Sequence, residues 1–361
     1  MTRHIQRPWL SLQENPDPLA ATGPALMWGV VSTGGIARAM VRDLALLPDA
    51  RLAAVSSRDT ERAAQFAREF GVGRSFADDG GVPGYARMLA EADIDVVYVA
   101  TPHGQHHEVA RAALEAGKHV LVEKSFTVNA HEAQELVDLA GERGLFLMEA
   151  MWSRFVPGML RAFEIVESGE LGEVQWVSAD LGFPAPQDPE HRIWDVAAGG
   201  GALLDLTVYP LLWAVGTLGY PDSLTAVGTL NEDGVDTQNI LALSYSGGQL
   251  ASLTSSLLAH GPRTATVAGT EGVLTTVGSV NNPTELVVRR GWDPARVETV
   301  DVIGRGFVYE LREVTRCIQQ GLTESPTMPW TDTLDTMRLF DGVRAQLGIR
   351  YPNDIRVPHR R

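Results

Sequence analysis

Five short apolar runs, separated by segments with helical periodicity, occupy the first 150 residues of this chain. The runs span residues 25–32, 52–57, 95–100, 118–123 and 145–150. Continuous apolar strands that alternate with helices predict a parallel sheet covered by helices on both faces. Residues 25–150 are therefore expected to form a doubly wound α/β domain.

The pattern changes after residue 150. Runs with strand character follow at 173–183, 224–230, 239–246, 250–257, 263–269, 273–277 and 285–289, and helical patterns at 201–217, 307–320 and 331–347. Turn signals such as Gly247-Gly248 join several of these strands directly. We expect residues 151–361 to form an α+β domain with a mixed, largely antiparallel open sheet and helices on one face. Its C-terminal helices could pack back on the first domain.

Composition narrows the classes of function. The net charge of −15 disfavours general binding to nucleic acid or to an anionic membrane. The apolar runs are too short to span a bilayer, and residues 1–24 lack the apolar core of a signal peptide, so we interpret them as a mobile extension. Cys317, the one cysteine, precludes an intramolecular disulfide. We expect a cytoplasmic protein.

The turn after the first strand predicts a nucleotide site. It consists of Ser32, Thr33, Gly34, Gly35, Ile36 and Ala37. In a G-x-G-x-x-G/A fingerprint, Gly34 takes the second position and Ala37 the third, whereas Ser32 replaces the first glycine. The following helix presents free N–H groups and a positive dipole end to a pyrophosphate.

The end of the second strand indicates which cofactor binds. An NAD site usually carries an acidic residue here for the ribose 2′-hydroxyl. This chain has Ser56, Ser57 and Arg58 instead, and a guanidinium with hydroxyl donors suits a 2′-phosphate. Asp59 either points away or pairs with Arg58. NADP is therefore predicted, with NAD the less favoured cofactor.

An ordered set of motifs extends this interpretation over most of the chain. The segments are Ala100-Thr101-Pro102-His103-Gly104-Gln105-His106, the run 116–124 ending in Glu123-Lys124, Gly200-Gly201-Ala202-Leu203-Leu204-Asp205, and Ala268-Gly269-Thr270-Glu271-Gly272. From about Leu26 to the C-terminus the chain resembles the Gfo/Idh/MocA oxidoreductases, whose first domain is a Rossmann fold. Segments 143–150, 152–155 and 205–209 resemble the branch with dimeric dihydrodiol dehydrogenase and NADP-dependent D-xylose 1-dehydrogenase.

The resemblance implies hydride transfer between nicotinamide C4 and a carbinol or carbonyl carbon. It also implies that the two loops after the apolar runs 95–100 and 118–123 hold the cofactor, through Thr101, Pro102, His103, His106, Glu123 and Lys124. The family's Glu-Lys-Pro turn matches Glu123-Lys124, with Ser125 in place of the proline. That change puts the rigidity of the turn in doubt.

Three residues are implied to be catalytic. Lys124 follows a parallel strand, where side chains project into the ligand crevice, and its ammonium can stabilise negative charge on a substrate oxygen. Tyr209 is taken as the acid/base, and a nearby ammonium would lower the pKa of its phenol. Asp205 lies four residues earlier on a predicted helix and so shares its face. Asp205 would orient the lysine or a substrate hydroxyl.

A substrate pocket is expected to include Trp152, Arg154 and Phe183 beside Asp205 and Tyr209, although Arg154 could equally serve in a structural ion pair. The histidines 103, 106, 107 and 119 are dense enough to suggest zinc. No cysteine supports a zinc site, and the first of these segments is assigned to the cofactor, so no metal is predicted.

The expected substrate is a small sugar or cyclic diol, and the expected partner is another copy of the chain. Dimer and tetramer both remain open, with contact through the second sheet, whose strands alternate apolar residues with Ser and Thr. One alternative is a reductase of nucleotide-linked keto-sugars. Another is a non-catalytic NADP-binding regulator, which the presence of Lys124, Asp205 and Tyr209 disfavours.

Overall fold

A computed structural model describes residues 17–90 and 93–356, with side chains through residue 354. Its strands are β1 Leu26–Val31, β2 Ala50–Ser56, β3 Ser75–Phe76, β4 Val96–Val99, β5 His119–Glu123, β6 Leu147–Ala150, β7 Val174–Gly182, β8 Ser223–Leu230, β9 Asp236–Ser244, β10 Leu250–Ser256, β11 Ala265–Gly269, β12 Gly272–Ser279, β13 Asn282–Arg290 and β14 Arg296–Thr299. Its α-helices are α1 Gly35–Leu44, α2 Thr60–Phe70, α3 Gly84–Leu89, α4 His106–Glu115, α5 Ala130–Arg143, α6 Pro157–Glu167, α7 Val208–Leu218, α8 Val308–Gln319 and α9 Trp330–Leu347.

The described residues form two compact units. One contains the chain up to Trp152 together with Ile303–Leu334, and the other contains Ser153–Val302 with residues 335–356. The segment that carries α8 therefore belongs to the first unit, where α8 contacts α1.

The first unit is built on a six-stranded parallel sheet in the order β3-β2-β1-β4-β5-β6. This is the Rossmann order, with a change of direction between β1 and β4. The four residues of β4 are fully buried, which explains why that strand is a continuous apolar run. The predicted fold class of this domain is confirmed.

Local signals set the bounds of two helices in this unit. The Asp59 side chain accepts the Arg62 N–H at 2.7 Å and begins α2, which ends at Gly71 with φ of 67°. Asn129 accepts the Glu132 N–H at 2.9 Å and begins α5. The sequence predicts helices over 60–70 and 130–142, the first with Thr60 as its cap and Gly71 as its stop. The structure gives that cap to Asp59, one residue earlier.

The predicted N-terminal extension lies partly outside the described residues, which begin at 17. From there, Arg312 Nε donates to the Pro18 carbonyl at 3.0 Å, and the Thr22 N–H donates to Asp49 Oδ2 at 2.9 Å. Gln319 Nε2 donates to the Pro24 carbonyl at 2.8 Å. Residues 18–24 are thus bonded to α8 and to the start of β2.

The second unit is built on an eight-stranded sheet in the order β14-β13-β12-β11-β7-β10-β9-β8. Strands β7 and β10 are parallel, and the other neighbours are antiparallel, so the predicted mixed sheet is confirmed. Helix α7 packs on β7, β10 and β11, and α6 packs on β13. Large apolar side chains remain exposed on this sheet, namely Trp176, Val227, Ile240 and Leu250.

Several elements differ from the sequence prediction. Helix α6 and the short strands β3 and β14 were not predicted. The predicted helix over 201–217 is divided, because residues Leu203–Thr207 form a π-helix that leads into α7. A π-helix has a wider turn than an α-helix. The spacing of four between Asp205 and Tyr209 therefore does not by itself place them on one face.

Within the described residues, no helix is long and apolar enough to cross a membrane.

Candidate active site

The turn between β1 and α1 has the features of a phosphate-binding loop. Gly34 is the N-cap of α1 and, as a glycine, provides no side-chain cap for the helix. A Cβ placed on Gly35 would meet nothing within 4 Å, so the helix N-terminus is open. The buried Ala37 packs this end of the helix onto the sheet. The loop therefore fits a dinucleotide pyrophosphate.

Ser32 occupies the position where the fingerprint has its first glycine. Its φ of 136° lies in a region that glycine adopts without steric cost. The Gly34 N–H donates to Ser32 Oγ at 3.1 Å, so the serine side chain closes the turn from within. The departure from the motif is thus accommodated by a hydrogen bond that glycine could not make.

The end of β2 leaves Arg58 exposed, next to a carboxylate that is already engaged. Asp59 accepts the Arg62 N–H as the cap of α2, and its own N–H donates to Ser57 Oγ at 3.3 Å. The sequence left open whether Asp59 pairs with Arg58. Asp59 bonds to the start of α2 as its cap. The Arg58 side chain is exposed to solvent.

His106 joins the two loops that follow β4 and β5. Its Nδ1 lies 3.0 Å from the Ser125 carbonyl oxygen, and its Nε2 lies 2.8 Å from that of Thr101. Complete burial lowers the pKa of His106 to about 4, against the raising effect of these carbonyls. The lowered pKa makes the imidazole neutral, so it has one N–H and donates to only one of the two carbonyl oxygens. His106 therefore contacts both loops and hydrogen-bonds to one of them. His103 adds a second link, with Nε2 3.2 Å from the Lys124 carbonyl oxygen.

The other histidines also have structural contacts. His119 Nδ1 accepts the Phe146 N–H at 2.9 Å, and His107 Nε2 lies 2.9 Å from a carboxylate oxygen of Glu135. Burial lowers the pKa of His119. Among the residues that the structure describes, no group of three or more His, Cys, Asp or Glu is arranged to hold a metal ion.

The Glu123-Lys124-Ser125 turn is held on both sides. Glu123 accepts the Tyr98 hydroxyl through Oε1, and its Oε2 accepts the Lys124 N–H at 3.2 Å. The Phe126 N–H donates to Glu149 Oε1 at 3.1 Å. The Lys124–Ser125 peptide is cis. These buried carboxylates fix the backbone around Lys124 although the turn lacks the family's proline.

Trp152 lies just after β6 and is 8% exposed. Its ring centroid is 4.8 Å from that of Phe307, with the planes inclined by 45°. Such a tilted pair is a favourable aromatic contact. Phe307 is the N-cap residue of α8, and no motif in the sequence assigns it to the site.

In the second unit, Asp205 forms an ion pair with Arg192. Arg192 Nη2 lies 3.3 Å from Asp205 Oδ1, and the side chains are 46% and 13% exposed respectively. Arg192 comes from a short 3₁₀ segment, Arg192–Trp194, that precedes the glycine run 199–201. A Cβ on Gly200 would lie 2.7 Å from the Arg192 carbonyl oxygen, so this glycine allows the two segments to meet.

Asp236 forms a hydrogen bond with the first residue of the π-helix that carries Asp205. Asp236 Oδ2 accepts the Leu203 N–H at 2.7 Å, and Gly201, with φ of 119°, passes so close that a Cβ would lie 2.0 Å from Oδ1. Burial raises the pKa of Asp236 to about 7, against the lowering effect of its hydrogen bonds. Thr207 bonds to Asn239 and Ser255 at 3.1 and 2.9 Å.

The remaining predicted substrate residues are also in this unit. Tyr209 lies in the first turn of α7 and is mostly buried, and Arg154 is almost wholly buried. Phe183 follows β7, partly exposed, with its N–H bonded to the Ser256 carbonyl at 3.0 Å. Their contact with a substrate stays a prediction.

Two family models match successive parts of the chain. Residues 26–151 match the oxidoreductase family with an NAD-binding Rossmann fold, and residues 159–275 match the GFO/IDH/MocA C-terminal domain. The trans-1,2-dihydrobenzene-1,2-diol dehydrogenase of Mus musculus is 36% identical over 341 residues, which cover 92% of this chain and 100% of that protein. The chain belongs to the Gfo/Idh/MocA oxidoreductase family. The bovine dihydrodiol dehydrogenase (Bos taurus) is 35% identical, covering 91% of this chain and 99% of its own.

A solved structure of a related enzyme has a similar fold. It is a 3-ketoreductase from Actinomadura kijaniata, in complex with NADP and TDP-benzene. It is 28% identical and superposes with a TM-score of 0.79, covering 89% of this chain and 98% of its own. The predicted family is thereby confirmed, and this chain is an oxidoreductase.

The candidate site of this oxidoreductase contains residues that the sequence analysis missed. Arg192 follows a histidine in a mixed polar and aromatic stretch, which is a weak signal. Phe307 stands at the start of a predicted helix, where an aromatic residue usually indicates core packing. Asp236 lies just before the predicted strand 239–246 and shows its role only through burial. Each acts through a residue distant in sequence, so no local pattern could reveal its partner.

Proposed function

We propose that this oxidoreductase uses NADP to transfer a hydride between nicotinamide C4 and a carbinol or carbonyl carbon of a cyclic diol or sugar. Its similarity to dihydrodiol dehydrogenases over nearly the whole length of both chains carries the proposal. The bound dinucleotide would supply or accept the hydride. The protein's residues would bind the substrate, orient it and move one proton.

The nucleotide loop and the end of β2 support NADP as the cofactor. The open α1 terminus suits the pyrophosphate, and Ser57 with exposed Arg58 suits a 2′-phosphate. Asp59 is committed to the α2 cap, which removes the acidic residue most able to compete with a phosphate for Arg58. The related 3-ketoreductase was solved with NADP.

We assign the proton transfer to Tyr209 and Lys124. In alcohol oxidation, the Tyr209 oxygen would accept the substrate hydroxyl proton as the hydride leaves carbon, and in reduction it would return that proton to the carbonyl oxygen. The Lys124 ammonium would bind the same oxygen. Variants of the 3-ketoreductase replace one lysine and one tyrosine, which lie almost as far apart along that chain as Lys124 and Tyr209 do here.

A reductase of nucleotide-linked keto-sugars is the second candidate. The 28% identical 3-ketoreductase was solved with TDP-benzene, a nucleotide-linked compound. The dihydrodiol dehydrogenases are more similar in sequence, so the smaller substrate is preferred.

A substrate screen with purified protein tests the proposal. NADP would be offered with trans-1,2-dihydrobenzene-1,2-diol, cyclic polyols and aldoses, and NADPH with nucleotide-linked keto-sugars, following absorbance of the reduced cofactor. Turnover of a diol or an aldose is expected, and Tyr209→Phe should remove most of it while NADPH binding changes little. Turnover of keto-sugar nucleotides alone would establish the second candidate. Full turnover by Tyr209→Phe would show that Lys124 or water, and not Tyr209, transfers the proton.

We also propose that the protein is a homo-oligomer through the open face of the second sheet. In the strand register, Ile240 lies opposite Val227, and Leu250 lies opposite Trp176, and all four are exposed. Such an apolar patch on a sheet is typical of a subunit interface. Sedimentation velocity should show a dimer or a larger oligomer that Ile240→Lys dissociates, and a monomeric wild type would reject this assembly.

A further inference from the structure

Asp43 lies in the last turn of α1 and bonds to the chain segment that leads into α8. Its Oδ2 accepts the Phe307 N–H at 2.9 Å and the Val308 N–H at 3.3 Å. The Arg305 N–H lies 3.1 and 3.0 Å from its two oxygens. Asp43 is 2% exposed, so one buried carboxylate collects the N–H groups at the start of α8.

The neighbouring glycine shows how closely the segment approaches Asp43. Gly304 has φ of 59°, and a Cβ placed there would lie 2.4 Å from Asp43 Oδ1. The Ile303 N–H donates to the Tyr309 hydroxyl at 3.0 Å and closes the turn from the other side. Since the backbone must turn tightly over the carboxylate, the course of residues 303–308 depends on Asp43.

The segment ends in a residue of the candidate site. Phe307, whose N–H donates to Asp43, places its ring against Trp152 at 4.8 Å. Both aromatic residues are mostly buried, at 6% and 8% exposure. A change in the backbone at Phe307 would move its ring relative to that of Trp152, and the energy of an aromatic contact depends on the separation and tilt of the two rings.

We propose that Asp43 is a positioning residue, which fixes Phe307 against Trp152 and so shapes one wall of the substrate pocket. The effect on substrate rests on the proposed function, in which Trp152 lines that pocket. The effect on the aromatic pair does not. Asp43 lies at the opposite end of α1 from the nucleotide loop, a separation of about 13 Å for a helix of this length, so it acts on substrate and leaves the cofactor site unchanged.

The variant Asp43→Asn tests the proposal, because it removes the carboxylate charge with little change in the shape of the side chain. The amide NH₂ would face backbone N–H groups, so at least one hydrogen bond would be replaced by opposed donors. We expect hydrogen exchange of the Arg305, Phe307 and Val308 amides to quicken at least about tenfold, since these three amides donate to Asp43. With trans-1,2-dihydrobenzene-1,2-diol or another substrate from the screen, KM should rise about three- to tenfold, and the NADP Kd should stay within about twofold.

A second variant and a matched control separate positioning from loss of stability. Gly304→Ala disturbs the same contact from the opposite side, and we expect it to quicken the same amides and to raise KM likewise. Asp49→Asn is the control, because Asp49 is equally buried and bonds to Arg312 of the same helix at 2.6 Å, away from the turn. It should lower the free energy of unfolding but leave KM near the wild-type value.

A double-variant cycle gives the decisive result. In a Phe307→Ala background, adding Asp43→Asn should raise KM no further, because the ring that it positions is gone. An undiminished increase in that background, unchanged exchange of the three amides that donate to Asp43, or an equal KM increase in Asp49→Asn would overturn the proposal. If the wild type turned over none of the substrates, the proposed function would fail, and hydrogen exchange in Asp43→Asn would still decide whether Asp43 holds the turn.

Discussion

Arg192 donates a hydrogen bond from Nη2 to Asp205 Oδ1 at 3.3 Å, across a separation of thirteen residues. Asp205 is the carboxylate that the family resemblance places beside the substrate, and Arg192 is its half-exposed counter-ion. The pair combines a guanidinium donor with a carboxylate acceptor, which suits neighbouring hydroxyl groups. The 3₁₀ segment before the glycine run thus supplies a charge to the candidate site.

Replacing Arg192 is expected to affect catalysis more than stability. Arg192→Met should cost less than about 1 kcal/mol of unfolding free energy because the pair is partly exposed. It should raise KM about tenfold, the equivalent of one charged hydrogen bond. Arg290→Met, which breaks an exposed pair with Glu271 in the same unit, is the control for KM and thermal unfolding. Equal KM values for both variants would show that Arg192 does not contribute to substrate binding.

Arg58 is predicted to distinguish the two nicotinamide cofactors. Arg58→Ala should weaken NADP binding by about 10- to 100-fold, as expected when a charged hydrogen bond to a phosphate is lost. NAD lacks the 2′-phosphate, so its Kd should change little. Fluorescence titration of both cofactors measures this, with Arg68→Ala on α2 as the control. An equal loss for NAD and NADP would contradict the assignment, as would a wild-type preference for NADH.

Ser32 is predicted to reverse the usual order of alanine and glycine. In the middle of a helix or strand, glycine is less stable than alanine by about 0.5–1 kcal/mol. The φ of 136° at Ser32 costs a residue with a Cβ roughly 1–3 kcal/mol. Both variants lose the bond from the Gly34 N–H to Ser32 Oγ, so Ser32→Gly should be more stable than Ser32→Ala by about 1 kcal/mol. Urea unfolding measures the difference, and an alanine variant at least as stable would show that the turn is unstrained.

Asp236 is predicted to lower stability as the pH rises. Burial raises its pKa from 3.8 to about 7 in the folded protein, so the folded state holds a proton that the unfolded state has lost. Its contribution therefore becomes less favourable from about pH 4 to pH 7, by roughly 1.4 kcal/mol for each pH unit, and is constant above that range.

The test is urea unfolding of Asp236→Asn at pH 5 and pH 8. Its stability relative to wild type should improve by a few kcal/mol at the higher pH, because the amide cannot ionise. Asp180→Asn is the control for replacing a carboxylate that accepts backbone N–H groups in the same sheet. A difference between Asp236→Asn and wild type that is the same at both pH values would show that Asp236 does not titrate in this way.

The turn around Lys124 shows where sequence reasoning stopped. The motif identified the lysine, but the missing proline left the rigidity of the turn in doubt. Glu149 supplies that rigidity from a neighbouring strand by accepting the Phe126 N–H, and it also accepts the Thr333 hydroxyl at 3.0 Å. Partners from β6 and from the start of α9 cannot be read from the residues beside Lys124.

The π-helix is a second example. Residues 201–217 predict one amphipathic helix, and the spacing of Asp205 and Tyr209 predicts a shared face. The wider turn at Leu203–Thr207 is supported by Asp236 and by contacts of Thr207 with β9 and β10. Hydrogen bonds from another part of the sheet thus decide the local geometry.

The Rossmann sheet, the largely antiparallel second sheet, helices α2 and α5 and the family could all be predicted from the sequence, since periodicity, turn residues and motif order can be read along the chain. The fold was needed to show that Asp43 accepts the Phe307 N–H, that Arg192 pairs with Asp205 and that His106 lies buried between two loops. These relationships depend on burial and on backbone donors brought close by the fold, and burial is a property of the packed molecule.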